Sequence, residues 1–208
     1  MALPHALQTR HGKLRIAITG ATGLVGRTLI FEFLKNYISQ LGSLEICFLG
    51  SGKKNKSLQE RMADIILGEG SLYIGATPEQ KSDIDLYLRS AAVKYIDMNL
   101  GIERLGLSLD DYALLKSTPI DFFFHSAALT DLRHENTIRE QLFEINVGGT
   151  QRILDLVETM NVKQFCYIGT AYCSGKTSGT IAPDYMHLSR DFRNPYEHSK
   201  MESELKVR

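Results

Sequence analysis

Apolar residues along the chain fall into two patterns, short runs typical of strands and longer stretches with helical spacing. The first run, Leu14–Thr19, ends at a glycine, and apolar residues then recur at helical spacing as far as Ile38. Residues 46–49 and 122–124 are continuously apolar, which is typical of strands that are covered on both faces. The pattern predicts five strands, over residues 14–19, 44–49, 92–96, 120–124 and 163–168.

Helical patterns fill the connections between these strands. They lie over residues 29–38, 58–66, 83–90, 109–116, 138–160 and 195–207. Because strands alternate with helices, each connection is a crossover and the sheet is parallel. The predicted fold class is α/β, a Rossmann-like doubly wound parallel sheet with helices on both faces. We expect residues 68–90 to form a surface insertion and residues 171–194 to form a polar loop.

A glycine-rich turn, TGATGLVG over residues 19–26, joins the first strand to the first helix. Its spacing places Gly20 at the tight turn, Gly23 where backbone N–H groups approach a pyrophosphate, and Gly26 where the helix packs closely on the sheet. A helix N-terminus also favours phosphate charge. A plain strand-to-helix turn is the alternative. The sequence therefore predicts a dinucleotide site at this turn, with the contact residues Gly20, Thr22, Gly23, Leu24, Val25 and Gly26.

The end of the second strand should select the adenosine ribose. An NAD site needs an acidic residue there to accept a hydrogen bond from the ribose 2′-hydroxyl. Residues 50–54 (GSGKK) contain no acid, and Arg27 adds a cation just after the last glycine of the turn. We therefore expect Arg27, Ser51 and Lys53 to bind a 2′-phosphate, which favours NADP(H) over NAD(H). A solvated loop is the alternative interpretation of Lys53.

A tyrosine and a lysine lie four residues apart near the end of the chain. Tyr196 and Lys200 would share one face of a helix, whose start is indicated by the capping residues in the segment 194–197 (NPYE). The Lys200 ammonium would lower the pKa of Tyr196 and bond the cofactor ribose, and Tyr196 would protonate an alkoxide formed by hydride delivery. Thr170 follows the fifth strand and could hold a substrate carbonyl. The alternative for Tyr196 and Lys200 is a solvated helix face, and the alternative for Thr170 is a strand-end cap.

Composition narrows the class of protein. The chain has 208 residues with 24 basic and 24 acidic side chains, so zero net charge gives no basis for binding nucleic acid or an anionic membrane. No apolar stretch is long enough to span a bilayer. Three cysteines without a CxxC pair predict a reducing, cytoplasmic location, and no metal-ligand spacing is present. We expect residues 1–12 to form a tail without a secretory leader and residues 13–208 to form an NAD(P)-binding domain.

These residues resemble the extended type of the short-chain dehydrogenase/reductase superfamily over residues 14–207. Within it they are most similar to the thioester-reductase domains of carboxylic acid reductases and peptide synthetases, and to fatty acyl-CoA reductases. The stretches that carry the resemblance are residues 19–29 (TGATGLVGRTL), 97–101 (DMNLG), 125–128 (HSAA), 146–150 (NVGGT), 169–172 (GTAY) and 196–200 (YEHSK).

The resemblance implies a role for each matching position. The catalytic triad would be Thr170, Tyr196 and Lys200, with Asn146 supporting the active-site helix and a proton-relay water. Asp97 and Met98 would line the adenine pocket. Ala127 and Ala128 would let the cofactor pass close to the backbone.

The resemblance also implies a reaction, the reduction of a thioester or an aldehyde with NADPH. The substrate would be a small molecule or an acyl group carried by CoA or an acyl carrier protein. The chain departs from the family in lacking an arginine at Gly50 or Ser51 and in having Gly169 before the catalytic threonine. Because it ends at Arg208, we expect the family's substrate-binding region to be absent. A nucleotide-sugar epimerase or dehydratase, or a non-catalytic dinucleotide-binding protein, are the alternatives.

Overall fold

The computed structural model describes residues 12–182 and 191–208. The predicted tail therefore lies outside the described residues, apart from Gly12, as do residues 183–190 of the predicted polar loop. The described chain forms two compact units. The first contains residues 12–98, 107–127 and 160–166, and the second contains residues 99–106, 128–159, 167–182 and 191–208.

Five strands form one sheet in the order β3-β2-β1-β4-β5. The strands are β1 (Leu14–Thr19), β2 (Leu44–Gly50), β3 (Val93–Asp97), β4 (Ile120–His125) and β5 (Val162–Tyr167). β1 pairs in parallel with β2 and β4, and β2 pairs in parallel with β3. The predicted α/β fold with a parallel sheet is confirmed, and each predicted strand boundary agrees to within one residue.

The first unit has an apolar core that forms where its helices pack on the sheet. The helices are α1 (Leu24–Tyr37), α2 (Leu58–Ile65), α3 (Ser71–Ile74), α4 (Pro78–Leu88) and α5 (Leu109–Ser117), with a π-helical turn at Ile66–Gly70 and a 3-10 turn at Leu41–Ser43. Fully buried side chains such as Ile16, Phe31 and Phe48 contribute about 1.5–3 kcal/mol each.

Residues 68–90 are not the surface insertion that the sequence suggested. Ile84, Tyr87 and Leu88 of α4 are buried in the same apolar cluster as β1 and β2. The Tyr87 hydroxyl also donates to the Leu44 carbonyl at 2.9 Å. Helical periodicity explains the burial, because a helix with a single apolar face packs that face against the core.

The second unit is mainly helical. Its elements are α6 (Asn136–Leu142), a π-helical turn (Phe143–Gly148), α7 (Gly149–Glu158), α8 (Pro195–Val207) and 3-10 turns at Glu103–Gly106 and Ala171–Ser174. The long predicted helix over 138–160 is thus interrupted by a π turn. The predicted start of α8 is confirmed, because the Asn194 side chain accepts from the Glu197 N–H at 2.9 Å.

In a capping box, the Glu197 side chain would accept from the backbone N–H of the N-cap residue Asn194. The Glu197 carboxylate accepts from the backbone N–H of Arg193 at 3.0 Å, one residue before the N-cap. None of the helices in the described part of the chain is long and apolar enough to cross a membrane.

Candidate functional site

The glycine turn between β1 and α1 is tightly packed. Gly20 has a φ of +74°, and a Cβ added there would lie 2.5 Å from the Ala127 nitrogen. A Cβ added to Gly26 would lie 2.3 Å from the Gly20 carbonyl oxygen. Neither contact is sterically possible, so both positions require glycine. Gly26 therefore allows α1 to close against the turn itself, rather than against the strands as the sequence suggested.

The first turn of α1 presents backbone N–H groups without a side-chain cap. Gly23 is the N-cap and is extended, and no acidic residue lies in the first turn. Leu24 and Val25 are 69% and 54% exposed, and Thr22 is half-buried beside them. Because the first amides of a helix have no intrahelical acceptor, this turn is suited to an anion.

The end of β4 is held beside the turn by a buried threonine and histidine. The Thr19 hydroxyl lies 2.7 Å from His125 Nδ1, and the Ala127 N–H donates to the same hydroxyl oxygen at 3.2 Å. The Ser126 N–H donates to the Thr19 carbonyl at 3.2 Å. These bonds bring the predicted residue Ala127 to the turn. Ala128, the next predicted residue, is half-buried and begins a segment of the second unit.

The end of β2 continues into a small hairpin. Lys53 and Lys56 exchange backbone hydrogen bonds of 2.9 and 3.2 Å across a two-residue turn. The intervening Lys54 and Asn55 have positive φ values of 53° and 61°, as a tight hairpin turn requires. Lys56 pairs with Asp64 at 2.5 Å, whereas Lys53 and Lys54 are exposed and have no ion-pair partner among the described residues.

The predicted contact Ser51 is anchored by a residue that sequence reasoning missed. The Arg61 guanidinium donates to the Ser51 carbonyl at 2.5 Å. Arg61 lies on α2, and no spacing rule links it to the end of β2. The predicted cation Arg27 has a partner as well, since its Nη1 lies 3.1 Å from the Glu69 carboxylate.

The two residues predicted at the adenine differ in exposure. Asp97 ends β3 and is exposed, whereas Met98 is buried and donates its N–H to the Gly50 carbonyl at 2.8 Å. Met98 is therefore fixed against the end of β2. It can offer an apolar surface, while Asp97 can offer a carboxylate.

In the second unit, the Tyr196 phenol is hydrogen-bonded by two threonines. Burial raises the pKa of Tyr196, and the hydrogen bonds from Thr130 and Thr170 lower it, with a net increase. Thr170 also accepts from the Tyr172 N–H at 3.3 Å and caps the 3-10 turn at Ala171–Ser174. The structure brings together the predicted pair Thr170 and Tyr196. Thr130 was missed, because a threonine in the loop after β4 carries no sequence signal.

The Lys200 side chain is buried and turned to the backbone. Its ammonium donates to the Ile168 carbonyl at 2.9 Å and lies 4.3 Å from the centre of the Tyr167 ring. Burial lowers the pKa of Lys200 to about 8, although Glu204 and Cys173 act in the opposite direction. The expected lowering of the Tyr196 pKa by Lys200 is therefore not observed, because burial dominates at the phenol and the ammonium is bound elsewhere.

The Asn146 side chain links the π turn to α8 and uses both ends of its amide group in hydrogen bonds. Its side chain accepts from the Leu129 N–H at 2.7 Å, donates to the Leu129 carbonyl at 3.0 Å and donates to the Ser199 hydroxyl at 2.9 Å. Ser199 in turn donates to the Tyr196 carbonyl at 2.8 Å. Asn146 is thus placed to support the helix that carries Tyr196. Both of its amide hydrogens are used by protein groups, so a relay water could bond only the oxygen.

The described residues give little support for catalysis by a cysteine or by a bound metal ion. Burial raises the pKa of Cys173 to about 11, so its thiol is neutral at physiological pH. Within residues 12–182 and 191–208, no group of three or more histidine, cysteine, aspartate or glutamate side chains is placed to hold a metal ion.

The sequence model of a family described as male sterility protein, an NAD-binding family, matches residues 18–208. A Drosophila melanogaster protein that bears the name of a fatty acyl-CoA reductase is 30% identical over 158 residues, which is 76% of this chain and 28% of that protein. A carboxylic acid reductase of Segniliparus rugosus is 25% identical over 202 residues, covering 93% of this chain and 16% of that protein. The chain thus spans less than a third of either relative.

Two solved structures show the same fold at lower identity. The terminal R domain of the myxalamid PKS-NRPS biosynthetic pathway has a TM-score of 0.70 and 23% identity, covering 95% of this chain and 45% of its own. A UDP-glucuronic acid 4-epimerase of Bacillus cereus, solved with NAD, has a TM-score of 0.62 and 19% identity, covering 93% of this chain and 51% of its own. The fold is therefore shared by proteins with different reactions.

Proposed function

The chain belongs to the male sterility protein family of NAD(P)-binding domains, and from that premise we propose that it is an NADP(H)-dependent reductase. Its relatives include a protein named as a fatty acyl-CoA reductase and a carboxylic acid reductase. The substrate class that we propose is an acyl group in thioester linkage to CoA or to an acyl carrier protein, or an aldehyde. The proposed location is the cytoplasm, since all three cysteines are free.

The observation that carries the proposal is the pairing of the Tyr196 phenol with the Thr170 hydroxyl at the start of α8. A phenol and a hydroxyl that meet at one point can bind the same carbonyl oxygen. Proton donation to an oxygen that gains charge is a general-acid step, and it is what a carbonyl reduction requires from the protein.

The glycine turn fits a dinucleotide pyrophosphate. Side chains at Gly20 and Gly26 would fill the space at the turn, and the first amides of α1 have no side-chain cap. We propose that Thr22, Gly23, Leu24 and Val25 line the pyrophosphate, and that Met98 and Asp97 line the adenine. Arg27, Lys53 and Ser51 would bind the 2′-phosphate, which favours NADP(H) over NAD(H). When bound, the reduced nicotinamide would supply a hydride.

The residues of the second unit would handle the proton. Thr170 would hold the substrate carbonyl oxygen while Tyr196 passes its phenolic proton to that oxygen. The resulting phenolate would be stabilised by the Lys200 ammonium, which would first have to leave the Ile168 carbonyl. Asn146, through Ser199, would keep the start of α8 in position.

Calorimetric titration of the purified chain with NADPH and, separately, with NADH tests the proposal. We expect tighter binding of NADPH, because two exposed lysines and Arg27 carry the charge that a 2′-phosphate needs. Oxidation of NADPH by an acyl-CoA or a long-chain aldehyde, followed at its absorbance, then tests the reductase activity. Absence of binding by either dinucleotide would overturn the assignment. Binding without turnover would favour a non-catalytic dinucleotide-binding protein.

A further inference from the structure

Arg27 and Glu69 form an ion pair on the flank of the glycine turn. Arg27 Nη1 lies 3.1 Å from the Glu69 carboxylate, and the two side chains are 28% and 55% exposed. Glu69 lies 42 residues further along the chain, in the π-helical turn Ile66–Gly70. It brings an acid to the flank of the glycine turn, whereas residues 50–54 at the end of β2 contain none.

The position of Glu69 is fixed by packing of the π turn on α1. A Cβ added to Gly70 would lie 2.7 Å from the Phe31 ring, so this glycine lets the π turn approach α1. Phe31 is one helical turn after Arg27, and it also packs against the Tyr73 ring with centroids 5.6 Å apart. The Tyr73 hydroxyl donates to Glu32 at 2.6 Å. These contacts hold the neighbouring Glu69 within reach of Arg27.

The ion pair changes what Arg27 can offer to an anion. A carboxylate on the guanidinium neutralises its charge, and a phosphate that approaches must compete with the carboxylate and is repelled by it. A second guanidinium nitrogen, Arg27 Nε, is buried and has no hydrogen-bond acceptor among the described residues 12–182 and 191–208. Arg27 is therefore engaged at one nitrogen and unsatisfied at another.

We propose that Glu69 is a specificity-determining residue of the nucleotide site, whose pairing with Arg27 reduces the preference for a 2′-phosphate. This inference rests on the proposed function, since it requires that Arg27 reads that phosphate. Glu69 would weaken the discrimination between phosphorylated and unphosphorylated ribose, and the exposed lysines of the hairpin would not be affected by it.

The test compares 2′,5′-ADP with 5′-AMP, which differ only in the 2′-phosphate and need no nicotinamide. Glu69→Gln should tighten 2′,5′-ADP by about two- to fivefold, the range expected for an exposed ion pair. The same change should leave 5′-AMP unaltered. The gain should shrink at high ionic strength, because exposed charges are screened. In an Arg27→Ala background, Glu69→Gln should give a smaller gain than it gives alone.

Glu45→Gln is the matched control. Glu45 is also an ion-paired glutamate of the first unit, bound to Lys13 and Arg15 at the start of β2 and so at the other end of that strand. It should change neither affinity. Equal tightening of both nucleotides by Glu69→Gln, or no change in either when the native chain binds both, would overturn this inference and leave the proposed function standing. A native chain that binds neither nucleotide nor NADPH would overturn both.

Discussion

At the scale of single residues, the proposed reaction depends on the proton that Tyr196 would donate to the carbonyl oxygen. Tyr196→Phe removes the proton and keeps the ring, so turnover should fall by at least about 100-fold, the usual contribution of a general acid. NADPH affinity should stay nearly unchanged, because in the proposed mechanism the phenol donates to the substrate and not to the cofactor. Steady-state rates and NADPH titrations measure the two effects.

Tyr172→Phe is the control for this substitution, since Tyr172 lies close in sequence to Thr170 and is 62% exposed. It should retain activity. Turnover that survives in Tyr196→Phe would remove the tyrosine from the proposed mechanism.

The lowered pKa of Lys200 predicts that the stability of the folded state depends on pH. Burial lowers its pKa to about 8, against 10.5 for the ordinary side chain. The unfolded chain therefore binds more protons between these values, and the stability contributed by this residue rises with pH across that window. Lys200→Met should raise the free energy of unfolding most at pH 7, with the gain shrinking as pH rises through about 8. Urea unfolding of both proteins at several pH values measures the difference. A difference in unfolding free energy that does not change with pH would show that the pKa of Lys200 in the folded state is not lowered to about 8.

At the scale of elements, the turn between β1 and α1 depends on close backbone packing. Gly26→Ala places a methyl group 2.3 Å from the Gly20 carbonyl oxygen, so the turn must open. We expect a loss of about 1–3 kcal/mol in unfolding free energy and weaker binding of 2′,5′-ADP. Gly42→Ala, where a Cβ meets nothing within 4 Å, is the control for adding the same methyl group. Equal effects of the two changes would contradict the packing argument.

Strands were easier to predict than the irregular turns. β1 and β2 are mostly apolar and are bounded by Gly20 and Gly50, and short apolar runs that end at a glycine indicate buried strands. The π turns at Ile66–Gly70 and Phe143–Gly148 leave no comparable trace, because the side-chain pattern changes by only one residue. The first of these turns carries Glu69, and the second carries Asn146.

At the scale of the whole molecule, the balance of charges predicts how solubility depends on pH. The chain has no net charge at pH 7 and a pI of about 7.0. Molecules without net charge repel one another least, so solubility should be lowest near pH 7 and higher at pH 9. Light scattering across this pH range measures the effect. A solubility that does not change with pH would show that specific contacts, rather than net charge, control association.

Prediction of the candidate site succeeded for local motifs and failed for contacts between distant segments. Gly20 lies at the tight turn that its spacing predicts, and the start of α8 is capped as predicted, whereas Gly26 packs against the turn and not against the sheet. The contacts of Thr130 with Tyr196 and of Glu69 with Arg27 join segments far apart in sequence. A single sequence does not show which distant residues are paired, because many other side chains have the chemistry to form the same hydrogen bond or ion pair.

The uncapped start of α1 also affects how fast its amides exchange with solvent. The first turn is exposed at Leu24 and Val25, and the Arg27 N–H is bonded to the Gly23 carbonyl at 2.9 Å. Amides without an acceptor exchange hydrogen for deuterium rapidly, while bonded helical amides exchange slowly. An anion seated on this turn should slow deuterium uptake at Leu24 and Val25 and leave the middle of α1 as it was. Deuterium uptake could therefore locate the phosphate on the chain before any substrate is known.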